Sequence, residues 1–496
     1  MRNVGHVQRV NSAYISRLAK CLYCQRRVNE PNLLIMENLL EKKFPTYLNE
    51  LKNLVRIPSV SFDGFPAGEV RRSAQFVADL MKKYGLENIQ LLEIPGAHPY
   101  VYGERLKAPG KPTLLLYAHH DVQPPGREEV WETPPFEPTE KPGHGGTRLF
   151  GRGAADDKAG IVVHLAAIDS ILSTGEELPV NVKVVIEGEE EVGSGHLKQF
   201  LSTYRSKLDA DVMVLTDTTN WDCGIPAITI ALRGLIDLNI ELKSLKNPVH
   251  SGMFGGPVPD PAMALAKVLA TLTDENGRIA VPGILEQVRP ITPAEEKAMK
   301  ALPGTKEDFR QQAGMLPGVE LLEEGPSVFG QVWRFPSLAV NALQASSRQQ
   351  AGNIIVGSAW AKVTIRLVAD MDPEKTLGLL REFVKKQIPW GLHAEFQSDR
   401  GSPPWSIVPE GPAFEAAERA LEKGYGRKPV AMGCGGSIPF VKPFAEALGG
   451  APAILVGVED PYTQAHGENE SLLISDFKKA CLSQIYLFQE LGKTRL

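Results

Sequence analysis

Hydrophobic residues along the chain fall into two distinct patterns. Four short runs, Thr113 to Tyr117, Val182 to Ile186, Val212 to Leu215 and Ala453 to Val456, are apolar with no regular polar alternation. Such runs predict strands covered on both faces. Between the first two, Ile161, Val162, Leu165, Ala166, Ile168 and Leu172 recur at helical spacing, with Asp156 and Asp157 at the start and Gly175 after the end. Strand, helix, strand in that order predicts a βαβ unit and an α/β fold. From about residue 228 to 398 the pattern changes. Ile236, Leu238, Ile240 and Leu242 alternate with polar neighbours, as do Val363, Ile365 and Leu367. Alternation predicts strands with one wet face. A helix expected at Ala262 to Leu272 lies between them, so this stretch reads as an α+β domain inserted into the first. A closing helix is expected after a Ser475 cap, on the pattern Phe477, Leu482, Ile485, Phe488.

Residues 1–35 stand apart. Arg2, Arg9, Arg17, Lys20, Arg26 and Arg27 precede the first acid, Glu30. A transit peptide has this bias, but so does sequence upstream of a true start, and Met36 opens an amphipathic run that looks like a domain beginning. The second reading is preferred. Cys21 and Cys24 have zinc-ligand spacing, yet no second pair lies nearby to complete four ligands. The expected organisation is therefore 1–35 as a basic extension, 36–227 and 399–496 as a catalytic mostly parallel-sheet domain, and 228–398 as a lid and dimerisation domain.

Composition narrows the function classes. At 496 residues, 43% hydrophobic and 23% charged, the chain can bury a large core. A net charge of -5 offers no broad cationic surface to nucleic acid, and no apolar run reaches membrane-spanning length. Five cysteines are few and odd in number, which favours a reducing compartment, the cytoplasm.

Each predicted buried strand is followed closely by His or acid: His119, His120 and Asp121; Glu189, Glu190 and Glu191; Asp217; His466. Active sites of open α/β sheets lie beyond the carboxyl ends of strands. In an extended run, His119 and Asp121 share a side and His120 takes the other, so Asp121 is placed to hold the second imidazole nitrogen of a ligating His119. Taken singly, Asp156 or Asp157 reads equally well as a carboxylate at a helix N-terminus, and the three glutamates as a solvated turn. Two histidines with three carboxylates suit zinc, with manganese or cobalt as alternatives, and the charge of two divalent ions is cancelled by the three carboxylates together with a bridging hydroxide. A dinucleotide-binding oxidoreductase would need a glycine turn after the first strand, where His119 stands.

Four motifs carry a resemblance: Tyr117-Ala118-His119-His120-Asp121-Val122-Gln123-Pro124-Pro125, Gly151-Arg152-Gly153-Ala154-Ala155-Asp156-Asp157-Lys158, Glu187-Gly188-Glu189-Glu190-Glu191 and Ala465-His466-Gly467-Glu468-Asn469-Glu470. From about Met36 onward the chain resembles a peptidase family M20 metallohydrolase, nearest the carnosinase-like dipeptidases. The resemblance implies His119 and Asp217 on one metal, Glu191 and His466 on the other, and Asp156 bridging both. It implies Glu190 as general base acting on a metal-bridged water, Asp121 as the support of His119, and a cis Asp156–Asp157 peptide. It further implies His250 polarising the substrate carbonyl, often from a partner subunit in a homodimer. Asn353, Arg366, Gly436 and Ser437 match substrate-binding positions, with Arg366 gripping a carboxylate. The expected activity is hydrolysis of dipeptides or other short substrates with a free carboxylate. A deacylase of N-acyl amino acids is the alternative on this scaffold, and a non-catalytic peptide-binding protein a lesser one. Two departures stand out: Ala118 replaces the usual Gly, and Arg400 replaces a His that carnosinase-like dipeptidases tend to carry.

Overall fold

The computed structural model describes residues 31–398, 401–436, 438, 441–447 and 449–495. Arg400, Ser437 and the Cys21/Cys24 pair lie outside these. The protein is α/β. Its large sheet runs in the order Glu87–Leu92, Tyr100–Arg105, Asn181–Glu187, Thr113–His119, Val212–Leu215, Ala453–Leu455, Ala227–Leu232, Trp405–Ser406, and Val430–Cys434 also pairs with Ala227–Leu232. Thr113–His119 lies parallel between Asn181–Glu187 and Val212–Leu215, and Ala453–Leu455 is parallel to Val212–Leu215. The four apolar runs are thus the four central strands, and their carboxyl ends share one edge.

Continuous apolar strands need cover on both faces, and helices supply it. The helix Lys158–Leu172 is buried almost all round and packs against Thr113–His119 and the C-terminal helix Ile474–Lys493. Each large aliphatic side chain removed from water here contributes roughly 1.5 to 3 kcal/mol. Lys158 is wholly buried, and its Nζ donates to the carbonyls of Leu54 at 3.0 Å and Ile57 at 2.7 Å. The C-terminal helix begins at Ile474, without a side-chain cap, because the strand Ser471–Leu473 runs straight into it. Ser475 therefore lies inside the helix and caps nothing. At the other end the first described helix spans Pro31–Val55, so it starts before Met36, although Met36 and Leu40 are the residues that begin its buried face.

The middle of the chain builds a second sheet, Ser337–Gln344, Ser358–Leu367, Gly234–Lys243, His393–Gln397, antiparallel throughout. Register pairs Val363 with Leu238 and Ile365 with Ile236, which puts the alternating apolar residues on one face. The helices Pro261–Ala270 and Pro373–Gln387 cover that face and close a core of its own, including Leu265, Leu380, Ile236 and Ile365. Both helices open on Asp-Pro. Asp260 accepts from Ala262 N and Asp372 from Lys375 N, satisfying donors that the first turn leaves unpaired. The strand Ala227–Leu232, which straddles the expected boundary at residue 228, belongs to the large sheet, and the second sheet begins at Gly234. Among the described residues no helix is long and apolar enough to cross a membrane.

Candidate active site

His119 is the last residue of its strand and is wholly buried. Its Nε2 lies 3.0 Å from Asp156 Oδ1 and 3.7 Å from Asp217 Oδ1. The other oxygen of Asp156 lies 3.0 Å from His466 Nε2, which is in turn 3.2 Å from Glu191 Oε2. Four strand ends and the loop before the helix Lys158–Leu172 thus deliver two triads, His119, Asp156, Asp217 and Asp156, Glu191, His466, each with donor atoms within 4.8 Å of one another, and both use Asp156. His466 reaches this position on a left-handed backbone (φ 62°) and remains the exposed member.

The electrostatics of the cluster show a deficit of positive charge. Burial pushes the carboxyls of Asp217, Glu190 and Glu191 up, Glu191 to about 7. His466 is raised to about 11 by the hydrogen bonds it donates to Asp156 and then Glu191. Asp156 is itself held far below the carboxylate range, because hydrogen bonds from His119 and His466 outweigh its burial. A donor set of two imidazoles and three carboxylates fits a pair of divalent ions.

The cluster is braced from behind. Asp121 Oδ2 accepts from Ser61 Oγ at 2.7 Å and from Glu191 N at 3.1 Å, and Oδ1 accepts from Glu190 N at 3.2 Å. His119 Nδ1 meets the backbone carbonyl of Asp121 at 3.0 Å, closer than that residue's carboxylate at 3.5 Å. One carboxylate therefore fixes the turn Glu190–Val192, while the same residue's backbone orients the imidazole. Glu189 and Glu191 are buried, so these glutamates do not form a solvated turn. Asp157 makes no side-chain cap for its helix; its Oδ2 accepts from His119 N at 3.2 Å. The Asp156–Asp157 peptide is cis.

Two supports escaped the sequence reading although both lie in quoted motifs. Glu470, wholly buried, accepts from Arg152 Nη1 at 2.8 Å and from the backbone N–H of Gly153, Ala155 and Asp156 at 2.9, 2.9 and 3.1 Å. It sets the path of the loop that presents Asp156. Gln123 Nε2 donates to Glu191 Oε2 at 2.8 Å.

The remaining candidates occupy the middle of the chain and its border. His250 and Asn353 are exposed neighbours: the short strands Val249–His250 and Ile354–Ile355 pair, and Ser251 N donates to Asn353 O at 2.9 Å. His250 Nδ1 accepts from Gly252 N at 3.0 Å. Arg366 is half-buried on its strand, and burial lowers its guanidinium below the ordinary value. Arg233, absent from the sequence-based set, is lowered to about 10 by burial and then by the like charge of Arg366, and its N–H donates to Gly436 O at 3.0 Å. Burial pushes the Cys434 thiol up to about 11.

Residues 115–487, a span holding all five clustered donors, match the family model for peptidase family M20/M25/M40. The chain belongs to this family of metallopeptidases. It is 31% identical to the Cys-Gly metallodipeptidase dug1 of Schizosaccharomyces pombe over 457 residues, 89% of this chain and 94% of that one. Identity to the human Beta-Ala-His dipeptidase is 29% over 470 residues, 88% and 89% of the two chains. The solved structure of the dipeptidase Dug1p from Saccharomyces cerevisiae superposes with a TM-score of 0.82 at 27% identity, covering 93% of this chain and 99% of that one. Human carnosine dipeptidase 1 gives the same TM-score at 26% identity and the same coverage.

Proposed function

We propose that this M20 enzyme hydrolyses the amide bond of dipeptides, using two divalent ions, zinc by preference. The carrying observation is the pair of donor triads that share Asp156. In this reading His119 and Asp217 hold one ion, Glu191 and His466 the other, and Asp156 spans both. When bound, the ions supply Lewis acidity and lower the pKa of water. Glu190, half-buried on the turn that Asp121 fixes, accepts the proton of the attacking water on its carboxylate and delivers it to the departing amine nitrogen. Arg366 grips the substrate carboxylate as a fork, with Asn353 and the Gly436–Ser437 loop beside it. His250 donates a hydrogen bond to the scissile carbonyl oxygen from the partner subunit of a homodimer, an arrangement favoured by its exposure on an outlying two-stranded sheet.

The relatives support the substrate class more than its side chains, since one is named for Cys-Gly and another for Beta-Ala-His. Cys223, Cys434 and Cys481 are free thiols, which supports a reducing, cytoplasmic setting. The test is a panel of Cys-Gly, β-Ala-His and acetylated amino acids assayed before and after exhaustive chelation. Dipeptide cleavage that stops on chelation and returns with added metal is expected. A preference for the acetylated amino acids would replace the dipeptidase reading with a deacylase.

A further inference from the structure

A second group of metal-type donors lies apart from the five clustered ones. The hairpin of Thr139–Gly143 and Gly146–Phe150 carries His144 at its tip, and the turn after Asp217 carries Asp222 and Cys223. One donor atom from each of the three lies within 4.8 Å of the others. Both segments are held in place. The turn is closed by Trp221 N to Ile225 O at 3.0 Å and Ile225 N to Asp222 O at 2.9 Å. The His144 ring stacks on Tyr462, with centroids 3.4 Å apart and planes 18° from parallel. Asp222 Oδ1 accepts from Cys223 N at 2.8 Å, which orients the carboxylate.

The hairpin tip approaches the sulfur so closely that a Cβ on Gly145 would stand 2.9 Å from Cys223 Sγ, and Gly145 has φ +77°. A side chain there would therefore push the tip off the thiol. Arg148 Nη1, 4.0 Å from the sulfur, has its charge offset by Asp460, which its Nη2 meets at 2.9 and 3.1 Å.

We propose that His144, Asp222 and Cys223 form a separate site for one borderline-soft divalent ion of the zinc class, with a fourth position open to water on the exposed His144 side. Nitrogen, oxygen and thiolate together select this class over magnesium or calcium, which take oxygen ligands. Burial, followed by the charge of Asp460, pushes the free thiol up to about 12, with Asp222 and Asp476 adding to the rise and Arg148 opposing it. The ion therefore displaces the thiol proton, which leaves to solvent. An ion bound here ties the hairpin tip to the turn that follows Asp217, beside the Tyr462 ring on the segment leading to His466. It would brace two segments that carry catalytic donors without ligating through either donor.

Cobalt separates this site from the catalytic one, because the five clustered donors include no thiolate. On titration of the metal-free full-length protein with Co2+, the wild type is expected to develop an intense near-ultraviolet thiolate-to-cobalt band. Cys223→Ser and His144→Ala should each lose that band and one metal equivalent, while retaining dipeptidase activity. Asp222→Asn, a milder change, should weaken the band's cobalt affinity at least tenfold. A band that persists in Cys223→Ser, or a wild type without one, overturns the proposal. Thermal unfolding of each metal-free variant establishes that it is folded before titration.

Discussion

The donor cluster and the pair His250 and Asn353 are built on opposite principles. His119, Asp156 and Glu191 are buried, and each is held by partners that are themselves held: Asp121 fixes Glu190 and Glu191 through their backbone N–H groups, and Glu470 fixes the loop before Asp156. His250, on a sheet of two short strands, and Asn353, which immediately precedes the second of them, are exposed and supported by a few backbone contacts. Groups that must keep a fixed geometry toward metal sit at the ends of strands packed on both sides. His250 and Asn353 lie in the middle of the chain, whose second sheet has a core of its own.

The largest effect should fall on the rigid side. Glu190→Gln is expected to keep its metal content and lose roughly 10² to 10⁴-fold in turnover, measured by metal analysis beside the dipeptidase rate. Loss of metal in this variant would move Glu190 into the ligand set. His250→Ala should also be inactive, and mixing it with Glu190→Ala under conditions of subunit exchange should restore activity, since one of the two sites then has both groups intact. No recovery after verified exchange would return His250 to its own chain's site. Glu470→Ala tests rigidity by stability instead. It leaves Arg152, 1% exposed, without its carboxylate, and should cost about 3 to 5 kcal/mol in denaturant unfolding. A change below about 1 kcal/mol would show the loop to be held by other means. The smallest effect is expected from removal of residues 1–30, which should leave rate and melting temperature unchanged; an inactive product would assign that segment a part in the fold.

The rigid region was also the legible one. Continuous apolar runs such as Thr113 to Tyr117 can only be strands packed on both sides, and His119, Glu191, Asp217 and His466 follow four of them closely enough for the sheet alone to gather them. The supports were harder to see. Glu470 and Arg152 are 318 residues apart, and a carboxylate that takes three backbone N–H groups leaves no periodic trace in the sequence. Ser475 misled as a cap because cap preference is local, whereas the preceding strand Ser471–Leu473 decides where that helix begins. Arg233 was passed over because a single arginine at the junction of the strands Ala227–Leu232 and Gly234–Lys243 carries no pattern. Its meaning comes from Arg366, which the fold brings beside it.

The position of Ala453–Leu455 in the sheet has a consequence for biosynthesis. This strand is made late, yet it lies between Val212–Leu215 and Ala227–Leu232. Until the ribosome has passed it, the large sheet exists as two pieces with a gap, and neither His466 nor Glu470 is available to finish the cluster. A nascent chain can therefore fold its early βαβ unit but cannot assemble the full set of donors, so a truncated translation product would lack a competent centre.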